Sequence, residues 1–289
     1  MQKQPATTTA ILLMSCPDQP GIVSAISGFI SENSGNILHL EQHVDSEVGA
    51  FFMRVEWEVD GFAISRSEIK SAFAPLAEKF SMEWALHFSD IKPRVAIFVT
   101  KDNHCIYDLL SRHESGELPM EVPLIISNRM DLKPAADRFG IPFYHFPITK
   151  ATKAAQEAEE IALLREQRID TVVLARYMQI LSSQMVDAFP SQIINIHHSF
   201  LPAFPGARPY HSAHARGVKL IGATSHYVTE ELDEGPIIAQ DVIRVSHRDS
   251  VKDFVRKGKD LEQVVLSRAV WNHLRRRVLP FRNQTVVFG

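Results

Sequence analysis

The sequence predicts an α/β protein of two domains: a small ferredoxin-like domain (βαββαβ), then a larger Rossmann-like domain with a mostly parallel sheet. Two observations predict this. Residues 8–88 show strand and helix patterns in the order β-α-β-β-α-β. After residue 93, short runs of apolar, β-branched residues alternate with helical patterns, which is typical of a parallel sheet covered on both faces. The length of 289 residues suits two ordinary domains.

The first domain contains four strand patterns and two helix patterns. The strand segments are TTAILLMS, ILHLEQHV, FFMRVEWEV and MEWALHF. Ile22, Ile26, Phe29 and Ile30 recur at helical spacing, so one apolar stripe of the first helix faces a sheet. SRSEIKSAFAPLAEKF is a second amphipathic helix, opened by serines that can cap it. The polar link SDIKP follows, and we therefore assign residues 1–89 to the first domain and 90–289 to the second.

The second domain begins with four apolar strand segments, RVAIFVT, VPLIIS, TVVLA and IINIH, which are separated by helical patterns. Two further runs, KLIGATSHYV and PIIAQDVIRV, flank the acidic loop TEELDEG and predict an antiparallel extension of the same sheet. A long helical stretch over residues 250–277 follows.

Composition and charge narrow the range of functions. The apolar fraction of 45% supports a sizeable core, and the net charge of −3 gives no reason to expect binding to a nucleic-acid backbone. No apolar run approaches the ~18 residues that span a membrane. The segment MQKQPATTTA lacks the charged head and apolar stretch of a secretion signal. With only two cysteines, far apart, we expect free thiols and a cytoplasmic protein.

Polar side chains occupy the carboxyl end of the strand IINIH. Asn195 and His197 are two residues apart, so both fall on one face of the sheet, while Ile196 and His198 face the other way. Ligands of open parallel sheets bind beyond these strand ends. An Asn amide can donate to a developing oxyanion, and a His can exchange a proton near neutral pH. The alternative is a capping Asn and a structural His, and the two residues alone do not exclude it.

The acidic loop TEELDEG supplies the carboxylates that such a site lacks. Glu230, Glu231, Asp233 and Glu234 all precede Gly235, and their spacing selects none of them. A carboxylate beside His197 would hold the imidazole protonated and could orient or deprotonate a water.

Three separated segments, in order, resemble the formyltransferase fold family that uses 10-formyltetrahydrofolate. They are LARYMQILS, NIHHSFLPAFPGARPYHSAH and GATSHYVTEELDEGPIIAQ, and the resemblance covers most of residues 93–280. It implies that Asn195, His197 and Asp233 are the catalytic residues. It also implies a folate-binding wall, whose contacts we assign to Met178, Ile180, Leu181, Glu230 and Leu232.

The formyl acceptor is inferred from the segment FVTKDNHCIYDLL, residues 98–110. In family members that formylate glycinamide ribonucleotide, a glycine-rich loop here holds a phosphate, and this segment contains no glycine. A transferase acting on tRNA would carry a basic surface, which is not evident. Water is therefore the expected acceptor, with formate released for one-carbon metabolism and purine synthesis. The alternatives are transfer to a small amine or nucleotide, and an amino-acid-sensing protein that binds folate without turnover.

The segment CPDQPGIVSAISGFISENSGNI resembles an ACT domain, a module that often binds amino acids. An ACT domain before a formyltransferase-like domain is the arrangement of the deformylase family. The resemblance implies an effector site at Asp18, Gln19 and Gly21, with Asn36 reaching it from a partner chain. We expect glycine or methionine as effector and a homodimer or homotetramer as the assembly.

We expect no metal and no cofactor beyond the folate substrate. His197 and His198 are adjacent on a strand, so they diverge and would chelate poorly. His211 and His214 have the i, i+3 spacing of a helical metal pair but lack an identifiable third ligand. Cys105 is expected to be a cleft or buried cysteine, His226 a core residue or a support to the site, and residues 275–277 a basic helix end.

Overall fold

The computed structural model describes residues 7–149, 151–203 and 209–289. The chain forms two compact units. The first unit comprises the residues up to Lys92 together with Arg276–Leu279 and Val286–Gly289, and the second comprises Pro93–Arg275 and Pro280–Thr285. Among the described residues, no helix has the length and apolar character needed to cross a membrane.

The first unit has the predicted order of strands and helices. Its elements are β1 (Thr9–Pro17), α1 (Ile22–Glu32), β2 (Ile37–Asp45), β3 (Ala50–Glu58), α2 (Ile69–Lys79) and β4 (Glu83–Phe88). The strands form an antiparallel sheet in the order β2-β3-β1-β4. The predicted stripe of α1 is confirmed: Ile22, Ile26 and Ile30 are buried in one cluster with strand residues such as Met14 and Met53.

The second unit is built on a seven-stranded sheet in the order β11-β10-β9-β8-β5-β6-β7. Its elements are β5 (Arg94–Val99), α3 (His104–Glu114), β6 (Glu121–Ser127), α4 (Lys133–Arg138), β7 (Phe143–His145), α5 (Lys153–Glu166), β8 (Thr171–Leu174), α6 (Ser183–Ala188), β9 (Ile193–His197), α7 (Pro209–Arg216), β10 (Leu220–Tyr227), β11 (Ile237–Arg244) and α8 (Val251–Leu274). Strands β5 to β9 pair in parallel, and β10 and β11 extend the sheet antiparallel, as predicted.

The strand order reverses between β5 and β8. From β5 the chain proceeds to β6 on one side, and it later returns to place β8 and β9 on the other side. The helices change faces at the same place, because α3 packs on α8 while α5 and α6 cover the opposite face through Ile161 and Met185. Such a reversal opens a crevice at the carboxyl ends of the two strands.

The end of the second unit differs from the prediction. α8 starts at a capping box formed by Ser250 and Asp253, and it ends at Leu274 rather than continuing to residue 277. The chain then forms a hairpin of β12 (Val278–Phe281) and β13 (Gln284–Val287). This hairpin and the three-residue β7 were not predicted, since strands this short show little periodicity.

Candidate active site

Strand β9 positions the two polar residues of the predicted site. β9 lies between β8 and β10, with Asn195 opposite Leu174 on one side and His226 on the other. Asn195 and His197 share a face and line one pocket, and Ile196 is buried. The backbone carbonyl of Asn195 accepts a hydrogen bond from Ser225 Oγ at 2.9 Å, which ties the strand end to β10. The shared face is as the alternation of a strand predicts, and the catalytic role of the two side chains stays a prediction.

Asp233 is the loop carboxylate that reaches His197. Its Oδ2 lies 3.2 Å from His197 Nδ1. The hydrogen bond from His197 holds the pKa of the Asp233 carboxyl below its usual value, against the opposing effect of burial. His197 Nε2 is buried and has no hydrogen-bond partner among the described residues. The pair thus fixes one imidazole nitrogen and leaves the other for a ligand.

A tight turn holds Asp233 in place. Asp233 has a φ of 61°, which is uncommon for a residue other than glycine. Two residues later, a Cβ on Gly235 would lie 1.8 Å from the carbonyl oxygen of Tyr227. Only glycine permits that approach, so Gly235 is required for the loop to fold back beside β10.

His226 is buried beside the site, in agreement with the core or supporting role that the sequence predicts. Its Nδ1 lies 2.9 Å from the backbone oxygen of Tyr227, so Nδ1 carries the proton and donates it. Its Nε2 then accepts from Asn195 Nδ2 at 3.2 Å and lies 3.7 Å from Asp233 Oδ1. Burial lowers the pKa of His226, which favours this neutral form. His226 therefore orients the Asn195 amide.

The predicted folate wall and the polar residues line one pocket of about 340 Å³. Its walls combine an apolar segment on one side with the acidic loop on the other. They include Met178, Ile180, Leu181, Asn195, His197, Glu230, Leu232 and Asp233, all of which were predicted as site residues. Met178, Ile180 and Leu232 are largely exposed, which is unusual for large apolar side chains outside a binding surface.

His197 and His198 do not diverge as predicted. Strand β9 ends at His197, so the alternation of a strand stops there and His198 lies in a bend. The two rings meet edge to face with centroids 5.2 Å apart, and His198 lines the same pocket. The histidine pair expected on α7 is also explained by packing, since His214 contacts the ring of Phe254.

The glycine-free segment after β5 carries a charged cluster. Here His104 Nε2 lies 2.9 Å from Glu262 Oε2 and Cys105 is buried, with burial raising the pKa of its thiol. Among the described residues, these three side chains form the one group whose donor atoms could hold a metal ion. Arg176 Nε lies 3.3 Å from the same carboxylate oxygen, so a cation there would face a guanidinium.

The predicted effector residues do not meet within one chain. Asp18 lies next to the end of β1, where its backbone N–H bonds the Gly49 oxygen, and Gly21 has a φ of 92°. Asn36 instead donates to the Glu58 carboxylate at 2.8 Å, and Glu58 pairs with Thr9 at the other end of β1. Gln19 is exposed beside Asp18.

Comparison with known proteins matches both halves of the chain. A formyl transferase family model matches residues 93–270, and an ACT domain model matches residues 10–76. A formyltetrahydrofolate deformylase of Synechocystis sp. is 61% identical over 281 residues, which is 97% of this chain and 99% of the relative.

Solved structures agree with the sequence comparison. The crystal structure of a formyltetrahydrofolate deformylase from Pseudomonas syringae has 47% identity and a TM-score of 0.97, covering 99% of this chain and 96% of that one. A glycinamide ribonucleotide transformylase from Symbiobacterium toebii has 30% identity and a TM-score of 0.66, covering 71% of this chain and 98% of that one. In its full length, and not only in its second unit, the chain belongs to the formyltetrahydrofolate deformylase family.

Proposed function

We propose that this protein hydrolyses 10-formyltetrahydrofolate to formate and tetrahydrofolate. One observation supports this most strongly. His197 is held at Nδ1 by Asp233, its Nε2 has no hydrogen-bond partner among the described residues, and the residue lines a pocket with Asn195 and an exposed apolar wall. The flat faces of a pterin ring suit the apolar wall, and the formyl group then lies beside the polar residues.

Asp233 is suited to handle the nucleophile. Its lowered pKa keeps the carboxylate ionised at neutral pH, and the side chain is partly exposed, so water can reach it. In this proposal Asp233 orients the attacking water and accepts its proton, and the oxygen of that water bonds to the formyl carbon.

Asn195 and His197 stabilise the negative charge that develops on the formyl oxygen, and His197 also protonates the leaving nitrogen. Because His226 accepts one N–H of the Asn195 amide, the second N–H remains to donate to the oxyanion that forms. Protonated His197 donates from Nε2, first to the oxyanion and then to N10 as the carbon–nitrogen bond breaks. The departing amine needs this proton because an amide anion is a poor leaving group.

The test is turnover without an amine. Purified protein is mixed with 10-formyltetrahydrofolate, and formate and tetrahydrofolate are measured. We expect formate release in water alone, a loss of about 10²–10³ in kcat for Asn195→Ala, and losses at least as large for His197→Ala and Asp233→Ala. Turnover only after an amine is added would contradict hydrolysis. Near-normal turnover by a folded variant would contradict the role of that residue.

The same assay tests the proposal that no metal or further cofactor takes part. We expect that exhaustive treatment with a chelator leaves kcat unchanged. A loss of kcat that added metal restores would contradict it.

We also propose that the ACT half binds a small amino acid, with glycine and methionine as first candidates, in a homo-oligomer. Asp18 and Asn36 lie at opposite ends of β1, which supports a site completed by a second chain. We expect one of these amino acids to change kcat, and Asp18→Ala to abolish that response. Indifference to a broad amino-acid panel, or a monomeric mass in light scattering, would contradict the proposal.

A further inference from the structure

The crevice between the carboxyl ends of β5 and β8 is filled by side chains. Open α/β sheets bind ligands in the crevice where the strand order reverses, and this chain reverses between these two strands. Here the crevice holds a cluster of paired charges, which we call the crevice cluster: Asp102, His104, Arg176, Lys259 and Glu262. The place that the fold offers to a ligand is therefore occupied by the chain itself.

Arg176 is the centre of the crevice cluster. It follows the end of β8 with a φ of 63°, a strained value for a residue with a side chain. Its guanidinium places Nη2 3.4 Å from Asp102 Oδ2 and Nε 3.3 Å from Glu262 Oε2. The side chain is 11% exposed. Strained backbone of this kind persists where the surroundings determine it, and two carboxylates do so here.

Further side chains hold the carboxylates of Asp102 and Glu262 in place. The second oxygen of Asp102 lies 3.3 Å from Lys259 Nζ. Glu262 accepts hydrogen bonds from His104 Nε2 at 2.9 Å and from the Tyr210 hydroxyl at 2.5 Å. Burial alone would raise the pKa of both carboxyls. These contacts outweigh burial and lower the pKa of both, so both stay charged. Each member of the crevice cluster thus has an ion-pair or hydrogen-bond contact to another member, and five elements or loops, counting the one that carries Tyr210, hold the cluster.

The crevice cluster also borders the candidate active site. Arg176 lines the pocket that contains Asn195 and His197, and Leu174, two residues before it, pairs with Asn195. We propose that Arg176, held between Asp102 and Glu262, closes the crevice to amine acceptors and so restricts the nucleophile to water. This inference rests on the proposed hydrolysis.

The chemistry of the site does not itself exclude an amine. An amine nitrogen that reached the formyl carbon would form a new carbon–nitrogen bond as the bond to N10 breaks. The proton that the amine loses would pass to N10, giving a formamide and tetrahydrofolate with no further reactant. Asp233, Asn195 and His197 would serve either nucleophile equally, so the choice depends on which molecule has room to enter.

The test replaces Arg176 with glycine, which empties the crevice and suits the positive φ. Arg168→Gly is the matched control, because Arg168 is an exposed arginine with a φ of 51° before the other end of β8. Each protein receives 10-formyltetrahydrofolate labelled at the formyl carbon, with and without glycinamide. Labelled formate and N-formylglycinamide are then quantified by mass spectrometry.

We expect wild type and Arg168→Gly to release formate whether or not glycinamide is present. In Arg176→Gly the fraction of formyl groups passed to glycinamide should rise about tenfold or more, the scale on which pocket size discriminates. An unchanged fraction in a folded Arg176→Gly would overturn the inference. So would a variant that binds tetrahydrofolate but forms neither product, since Arg176 would then take part in the reaction itself.

A second variant guards against misfolding. Arg176→Gly leaves the carboxylates of Asp102 and Glu262 without their shared cation. Adding Asp102→Asn removes the first of these charges, and Glu262 keeps its donors His104 and Tyr210. For the double variant we expect the same rise in the fraction of formyl groups passed to glycinamide, and an unchanged fraction would again overturn the inference. Failure of the proposed hydrolysis is distinguishable, because wild type would then release no formate when glycinamide is absent.

Discussion

The orientation of one amide decides whether Asn195 can donate to an oxyanion, and His226 sets that orientation. His226→Phe keeps an aromatic ring but removes the nitrogen that accepts from Asn195. We expect kcat to fall about tenfold to a hundredfold with little change in KM, somewhat less than the loss of the donor itself. Steady-state kinetics measure both constants. His211→Phe, on the exposed side of α7, is the control, and an equal loss there would contradict the role of His226.

The close approach at Gly235 makes the position of Asp233 sensitive to a single methyl group. In Gly235→Ala the new Cβ would overlap the Tyr227 oxygen, so the loop must move. We expect a large loss of kcat and a loss of about 1–3 kcal/mol in the free energy of unfolding. Gly28→Ala is the control: its Cβ meets no atom closer than 4.0 Å, and an alanine in a helix should stabilise by up to about 1 kcal/mol. Normal turnover of Gly235→Ala would contradict the role of the turn.

Single residues were predicted well where periodicity applies, and poorly where contacts depend on register. The alternation of a strand correctly placed Asn195 and His197 on one face, and it failed one residue later because the strand ends at His197. Arg176 escaped prediction, and His226 was predicted as a core residue or a support to the site without its contact to Asn195. Their roles depend on β10 pairing with β9 and on the crevice beside β5, and neither follows from local sequence. Asp233 was singled out among four acids by the family resemblance alone.

Among the elements, helix α5 carries a buried acid that accepts a hydrogen bond from Gln156. Glu160 is fully buried, and burial raises its pKa from 4.5 to about 7. The pKa of this carboxyl is higher in the folded state than in the unfolded state. Its contribution to the free energy of unfolding is therefore complete below about pH 4.5 and is lost as the pH rises through 7, because the folded state then has to bury the charge.

We therefore expect Glu160→Gln to gain stability over wild type with rising pH. The difference in the free energy of unfolding should grow by about 3 kcal/mol between pH 4.5 and 7 and then level off. Urea unfolding at several pH values measures it. Glu159→Gln, on the exposed side of α5, should leave the pH dependence unchanged. A parallel pair of curves for Glu160→Gln and wild type would contradict a buried neutral acid.

Long periodic elements were the easiest to predict. The order of the first unit, the parallel strands of the second and its antiparallel extension all follow from apolar patterns that span several residues. The end of α8 was misplaced because Arg275, Arg276 and Arg277 continue a helical composition, whereas the chain turns at Arg276 with a φ of 53°. Composition describes a helix interior better than it marks the last turn.

On the scale of the whole molecule, two segments near the end of the sequence, Arg276–Leu279 and Val286–Gly289, belong to the first unit. Arg54 Nε donates to the backbone oxygen of Arg276 at 3.0 Å, and the Gly289 N–H donates to the Glu41 carboxylate. The Phe288 N–H bonds the Arg277 oxygen, and its side chain is 1% exposed. The contacts of Arg54 with Arg276 and of Glu41 with Gly289 join residues more than two hundred positions apart in sequence, which no local pattern reports.

We expect Phe288→Ala to lower the free energy of unfolding by about 3–5 kcal/mol, the usual loss for a buried aromatic side chain. Urea unfolding monitored by the fluorescence of Trp57 and Trp84, both in the first unit, measures it. Val287→Ala is the neighbouring control, because Val287 is 41% exposed and should cost well under 1 kcal/mol. Equal effects of the two substitutions would contradict a structural role for Phe288.

The interrupted first unit has a consequence for how the protein is made. Domains usually fold in the order in which the ribosome releases them. Here the first unit emerges early, but the backbone oxygen that Arg54 binds and the N–H that Glu41 binds are synthesised only after residues 93–275 of the second unit. A chain broken off anywhere in between contains every strand of the first sheet and still lacks these partners. We therefore expect the first unit to gain its last stabilising contacts only when Arg276 and Gly289 have been added to the chain.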